Sequence, residues 1–365
     1  VLRSNLLGFD SDYYRTYYDQ LDSDQIVARV IEQQKNSFRL KAIHSPTATE
    51  WWGAPSGRLL REARDAAQLP VIGDFVVTAP GTENDRVQIF AVLPRKTLLV
   101  RRSVHSEHEP QPLAANVDHV FVVTSLNQDF NLNRLHRYQT IIKQSGAEGS
   151  VLLTKADLEN DSNRLARILE TVQTILPARI LSSYSGVGID EFAQSLAPNK
   201  SHIFVGSSGV GKSTLINRLL GEERLVTRSI REYDGRGRHA TTFRSLTLLA
   251  SGAIVIDSPG IRELSLWDID DGDLEDTFKD IGQLAHSCKY RNCAHESEPG
   301  CAVQQAIEVG LLEASRLKSY RKLQKEMRFY ERQEDKKAQL KEKERWKTIS
   351  KAAKKIAKIK RHYPE

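Results

Sequence analysis

Residues 206–213 read Gly-Ser-Ser-Gly-Val-Gly-Lys-Ser, after the apolar stretch Ser201-His-Ile-Phe-Val205 and before Thr214-Leu-Ile-Asn-Arg-Leu-Leu220. A short strand, a glycine-rich turn and a helix in that order match G-x-x-x-x-G-K-[ST], the phosphate loop, in the setting it requires. Glycines let backbone N–H groups close around phosphate oxygens without a Cβ in the way. Gly206, Ser207, Ser208, Gly209, Val210 and Gly211 are therefore expected to cradle a polyphosphate. Lys212 is expected to reach the β- and γ-phosphates, and Ser213 to ligate magnesium. Thr214 completes the set at the helix N-terminus, whose partial charge favours an anion.

Two later segments fit the same chemistry. Asp257-Ser-Pro-Gly260 ends the apolar strand Ala253-Ile-Val-Ile256. There Asp257 can hold the magnesium shell, and the Gly260 N–H can bond a γ-phosphate. Gly235-Arg-Gly-Arg-His-Ala-Thr-Thr242 lies between these motifs. Its glycines predict mobility, and a threonine hydroxyl, Thr241 or Thr242, can join magnesium when a triphosphate is bound.

The base is read earlier in the chain. Thr154-Lys-Ala-Asp157 follows the strand Val151-Leu-Leu153. A carboxylate at Asp157 can accept from the N1–H and 2-amino group of guanine, donors that adenine does not pair in this way. Lys155 is expected over the base, and the Ser182-Ser183 pair at the next strand end offers an N–H to the guanine O6. A conventional small GTPase places these two motifs after its phosphate loop. Here they precede it, and nothing after Gly260 repeats them, so the sheet reads as circularly permuted. Such a permutation preserves the site when the original termini were close.

The alternating strands Ile26–Ile31 and Ser37–Ile43, followed by strands Gly73–Thr78 and Arg86–Leu93, with turns at Lys35-Asn36 and Pro80-Gly81, predict a small barrel of the OB type. Arg29, Arg39, Lys41, Arg58, Arg61, Arg64, Arg95, Lys96, Arg101 and Arg102 fall in or beside it. Outward-facing members of that set suit RNA. Ser103–Pro112 reads as a linker. Beyond it, strands near 117–126, 151–153, 179–181 and 201–205 alternate with helices near 132–144 and 164–175, which predicts a doubly wound α/β domain. The expected fold is multi-domain: an N-terminal OB-fold β-barrel, a central circularly permuted α/β P-loop GTPase domain and a C-terminal helical zinc-binding domain. The expected boundaries are an extension at 1–22, barrel 23–104, GTPase domain 113–270, zinc domain 271–330 and basic tail 331–365.

All three cysteines fall in Cys288-Lys-Tyr-Arg-Asn-Cys293-Ala-His295-Glu-Ser-Glu-Pro-Gly-Cys301. Cys288, Cys293, His295 and Cys301 suit a closed, tetrahedral, structural zinc site with no position left for a reacting water. So few cysteines point to a reducing compartment rather than a disulfide framework. No run of 18 apolar residues predicts a membrane span. From Arg316 to Glu365 the chain carries 19 Lys+Arg against 7 Asp+Glu, although the whole chain is only +6. A basic helix on a net acidic body predicts a polyanionic partner.

With these residues in view, the chain resembles the RsgA/YjeQ family over about 25–330. The resemblance rests on the permuted order, G-x-S-G-V-G-K-S at 206–213, G-R-H-x-T-T at 237–242, D-S-P-G at 257–260 and the Cys3His pattern. Thr124-Ser-Leu-Asn-Gln-Asp-Phe130 and Gly73-Asp74 add to it. It implies a cytoplasmic GTPase that binds the small ribosomal subunit and its rRNA late in assembly and hydrolyses GTP to GDP faster there. Two features depart from the family pattern: Ala240 stands at one of three frequent threonines, and Thr154 replaces the usual asparagine, which leaves guanine selection to Asp157. Ile261 occupies the place of a water-orienting glutamine and cannot orient water. The resemblance points instead to His239 as the catalytic group. Two alternatives stay open: an RNA-binding module toggled by nucleotide with incidental turnover, and a permuted GTPase acting on the large subunit or another RNA. No heptad seam suggests an obligate dimer, so a monomer is expected, with no membrane partner.

Overall fold

The computed structural model describes residues 6–34, 36–43, 50–83, 85–102, 110–126, 130–159, 161–207, 209–222, 244–257, 274 and 277–328. The chain divides into two units, Val1–Lys279 and Asp280–Glu365.

In the first unit, period-two apolar patterning turns into a closed five-stranded barrel. Its strands are β1 (Ile26–Gln34), β2 (Ser37–Ala42), β3 (Glu50–Pro55), β4 (Phe75–Thr78) and β5 (Arg86–Val92). β1 pairs antiparallel with β2, β2 with β3 and β5 with β4; β3 and β5 run parallel, and β4 returns to β1 to close the ring. Alternate side chains point inward, so Ala28, Val30, Phe38, Leu40, Trp51, Val76 and Ile89 fill the interior. A register shift between Val30 and Glu32 bends β1. The bend lets Ile26–Arg29 pair with β4 while Glu32 and Gln33 reach a different strand. Residues before the barrel close its end: Phe9 stacks on Tyr14 at 4.9 Å, and both pack with Phe75 and Ile43.

The hairpin of β6 (Leu98–Arg102) and β7 (Pro110–Ala115) leads to the second half of the unit. Residues 110–112, expected in a linker, are in fact the start of β7. A two-stranded ribbon tolerates their prolines because few N–H groups there are needed for a ladder. There follow β8 (His119–Ser125), β9 (Glu148–Thr154), β10 (Ala178–Ile180), β11 (Ser201–Val205), β12 (Arg244–Leu248) and β13 (Ile254–Asp257). Their order is β10-β9-β8-β11-β13-β12, parallel except for β12. Helices Leu132–Ser145, Ser162–Gln173, Ile189–Ser195 and Lys212–Leu220 occupy the connections.

Barrel and sheet are continuous. β12 pairs with β1 through Glu32↔Ser245 and Gln33↔Arg244. The Arg244 guanidinium also lies 2.9 Å from the Pro112 carbonyl and 3.2 Å from Gln33 Oε1. Arg29, one of the ten cations whose facing the sequence left open, is 1% exposed. It donates to the carbonyls of Leu7, Gly73 (3.2 Å) and Asn116 (3.2 Å) and to Ser201 Oγ (2.8 Å). Burial lowers its pKa to about 10. Four separate segments thus converge on one buried guanidinium, and one of them, Ser201, opens the strand that carries the phosphate loop. The Gly73 carbonyl also accepts from Asn116 Nδ2 at 3.1 Å, but removing the guanidinium would take a donor from the Leu7 and Asn116 carbonyls, at about 1–3 kcal/mol for each one left unpaired. Arg95 is likewise taken up, by buried Asp74 at 2.7 Å.

In the second unit the cysteine-rich loop precedes helices Ala302–Glu308 and 314–328. Val303, Ala306, Leu312, Leu317, Leu323 and Met327 are buried there, whereas Leu311 is exposed. The Arg316–Asp280 ion pair, 2.8 Å at its second contact, lies in the same unit.

Candidate nucleotide site and metal centre

The carboxyl ends of β9, β10, β11 and β13 carry the sequence motifs. β11 is buried along its whole length and delivers Gly206 with φ 144°. A Cβ at 206 would stand 2.1 Å from the Val123 carbonyl oxygen, so only glycine lets the chain leave β11 this close to β8. Gly211, at φ 97°, turns the loop into the helix starting at Lys212. Lys212 Nζ donates to the carbonyls of Gly206 (2.7 Å) and Ser207 (2.6 Å), so the ammonium lies across the loop it is expected to serve. Ser213 and Thr214 fall in the first helical turn, and Asp257 ends β13, the immediate neighbour of β11.

The base-reading segments meet this loop directly. Thr154 Oγ1 donates to the Val210 carbonyl at 2.6 Å. Lys155 adopts a left-handed conformation, φ 60°, which turns the chain at the end of β9. Asp157, exposed at the mouth, accepts from Ser182 Oγ. Ser182 is closed into a tight turn by its N–H to Val187 (3.0 Å) and by the Ser185 N–H to its hydroxyl (3.1 Å). Arg218, on the phosphate-loop helix, donates to the Ser183 carbonyl at 2.9 Å. Thr154, Lys155, Asp157, Ser182, Ser183 and the phosphate loop therefore form one connected rim. Ser208, His239, Thr241, Thr242, Gly260 and Ile261 lie outside the described residues, as does the tail from 329 onward.

Two rim residues carry no motif signal. Arg218 is an ordinary helical arginine in the sequence. Arg134, in the first turn of helix Leu132–Ser145, donates to Ser207 Oγ at 2.6 Å.

The ligand atoms of Cys288, Cys293, His295 and Cys301 all lie within 4.8 Å of one another. His295 Nδ1 is 3.5 Å from Cys301 Sγ and 3.6 Å from Cys288 Sγ, and those sulfurs are 3.9 Å apart. A tetrahedron with metal–sulfur bonds of about 2.3 Å has edges of about 3.8 Å, so the donor set and its spacing fit a metal ion. The loop is braced from within its own unit. Glu298 accepts from the N–H groups of Ala294 (2.8 Å), Glu296 (2.8 Å) and Ser297 (3.1 Å), which hold its pKa down to about 2. Gln304 and Arg321 donate to the His295 carbonyl.

A permuted strand order, a phosphate loop tied to a T-K-x-D segment, a fused five-stranded barrel and a Cys3His module together define a circularly permuted GTPase. A family model described as RsgA GTPase matches residues 92–267, and one described as 50S ribosome-binding GTPase matches 201–340. A protein of Lactiplantibacillus plantarum named small ribosomal subunit biogenesis GTPase RsgA 2 is 44% identical over 84% of this chain and 85% of its own. The small ribosomal subunit biogenesis GTPase RsgA of Opitutus terrae is 40% identical over 94% of this chain and 95% of its own. The crystal structure of YjeQ from Thermotoga maritima superposes with a TM-score of 0.60 at 25% identity, covering 82% of this chain and 97% of that one. The chain belongs to the RsgA GTPase family.

Proposed function

We propose that this protein binds the small ribosomal subunit late in its maturation and hydrolyses GTP to GDP and phosphate there, with turnover stimulated by the subunit. The reading rests chiefly on the Thr154–Val210 hydrogen bond, which brings the permuted base-reading segment onto the phosphate loop. The names of the relatives supply the subunit. Asp157 reads guanine, with Lys155 over the base and Ser182–Ser183 at its O6 edge. Residues 206–214 hold the phosphates. Ser213, Asp257 and either Thr241 or Thr242 take the magnesium, which neutralises charge on the β- and γ-phosphates when bound. Gly260 bonds the γ-phosphate. His239 activates the attacking water when the subunit orders its segment. Cys288, Cys293, His295 and Cys301 hold a structural zinc. The rRNA contacts of the barrel fall to Arg58, Arg61 and Arg64, which are exposed, rather than to Arg29 or Arg95. The domains follow the boundaries 23–104, 113–270 and 271–330, flanked by 1–22 and 331–365, and the protein works in the cytoplasm as a monomer.

The description of the second family model favours one rival, action on the large subunit. Cosedimentation with isolated small and large subunits, in GDP and in a non-hydrolysable GTP analogue, separates the two. Small-subunit binding that strengthens with the analogue is expected, with single-turnover hydrolysis accelerated by that subunit alone. Selective binding to the large subunit would sink the proposal. Binding that responds to nucleotide without any acceleration would leave only an RNA-binding toggle.

A further inference from the structure

Ser207 is approached by two cations from different parts of the fold. Lys212 Nζ reaches its carbonyl at 2.6 Å, and Arg134 Nη1 reaches its hydroxyl at 2.6 Å. Both contacts end on one residue, so the guanidinium and the ammonium lie on the order of 9 Å apart or less. Lys212 belongs to the phosphate loop itself. Arg134 comes from the helix after β8, where Asn131 caps the first turn by accepting from the Arg134 N–H at 3.3 Å. The helix therefore directs both its own N-terminal partial charge and a full side-chain charge toward the loop. Gly206, one residue before Ser207, packs so close to the Val123 carbonyl that no Cβ would fit. The contact of Arg134 thus falls where the loop leaves β11.

We propose that Arg134 is a positioning residue of the phosphate loop: it holds Ser207 in place and supplies a second positive charge that makes the loop favour a triphosphate over a diphosphate. The inference rests on reading residues 206–213 as the nucleotide site. The Ser207 hydrogen bond fixes the start of the loop, whichever nucleotide binds. The charge acts selectively, because a triphosphate brings one more negative charge into a partly buried site where screening by salt is weak. A merely structural role would lower the affinities for both nucleotides alike.

The test is equilibrium titration of the full chain, with magnesium, by GDP and by a non-hydrolysable GTP analogue. Arg134→Gln is expected to weaken the analogue about tenfold and GDP no more than about threefold. Arg134→Lys, which keeps the charge without the fork, is expected to recover much of the ratio. Ser207→Ala removes the acceptor but not the charge, so its ratio should change less than that of Arg134→Gln. An unchanged ratio in Arg134→Gln, or an equal change in Ser207→Ala, would overturn the proposal. Lys212→Ala serves as the control for the site itself. If it leaves both affinities intact, the phosphate-loop reading fails and the proposal falls with it; if it abolishes both, the ratios above judge Arg134 alone.

Discussion

The hydroxyl of Thr154 donates to the carbonyl of Val210 at 2.6 Å, joining the end of β9 to the middle of the phosphate loop. Thr154 is only 3% exposed, so no water can replace the bond. Thr154→Val keeps the shape and removes the donor, leaving a buried carbonyl short of a partner at about 1–2 kcal/mol. Calorimetric titration should show GDP binding weakened about fivefold to thirtyfold, with Thr154→Ser close to wild type. Equal affinities for Thr154→Val and wild type would show that the link does not shape the site.

Asp157 and Ser182 are the pair proposed above to set the choice of base. With its hydroxyl donated to Asp157, Ser182 orients a carboxylate that would otherwise rotate freely at an exposed strand end. Asp157→Asn replaces one acceptor oxygen with a donor, so the N1–H and 2-amino group of guanine can no longer both be satisfied. GTP affinity should fall about a hundredfold. Xanthosine triphosphate, which carries a carbonyl at the 2-position, should gain relative to GTP in competition assays. An unaltered preference between the two nucleotides in this variant would remove Asp157 from base recognition.

How far the residues announced this arrangement depends on the range of the forces involved. The phosphate loop, the T-K-x-D segment and the Cys3His spacing are local patterns, each confined to one turn or one strand end, and so can be read along the chain. The barrel strands β2 and β5 announce themselves by alternation, and β1 and β4 by short apolar runs. β3, Glu50-Trp-Trp-Gly-Ala-Pro55, shows no alternation of apolar and polar residue types and is held between β2 and β5. Arg29 and Arg134 were least legible. An arginine looks the same whether it meets RNA, four buried acceptors or a phosphate-loop serine, and Arg29 meets groups 22 to 172 positions away. Only the fold brings them together.

The opposite end of β11 carries a pH liability. His202 is 5% exposed, and neither ring nitrogen makes a hydrogen bond of good geometry among the described residues, although the Ala197 backbone lies near enough to favour the protonated ring weakly. Burial first, and then the neighbouring His119, lowers its pKa to about 4; Asp118 opposes this and Lys200 adds to it. The folded chain therefore keeps His202 neutral at a pH where the unfolded chain protonates it. Stability is full above about pH 6.5 and is lost as pH falls toward 4, by up to about 3 kcal/mol. His202→Phe fits a site where the Phe121 ring already lies 5.6 Å from the imidazole. Thermal midpoints at pH 7.5, 6 and 5 should fall less steeply for this variant than for the wild type. Parallel slopes would mean that other groups, His119 among them, carry the acid sensitivity.

Cys301 caps a helix and is proposed to hold the zinc, two roles that a single substitution can separate. Its sulfur lies in the Cys3His cluster, 3.5 Å from His295 Nδ1, and it also accepts from the Gln304 N–H to cap helix Ala302–Glu308. Losing a helix cap costs about 1 kcal/mol, whereas a structural zinc contributes about 10 kcal/mol or more to the folding of a small module. Cys301→Ser keeps a good capping oxygen and removes the thiolate, so only the metal role is lost. The purified variant should contain far less than one zinc per chain. It should also lose the helical signal of 302–308 and 314–328 on mild heating, as should the wild type treated with a strong chelator. A variant with full zinc content and an unshifted melt would show that the ion, if bound, does not need this sulfur, and that Cys301 serves the helix alone.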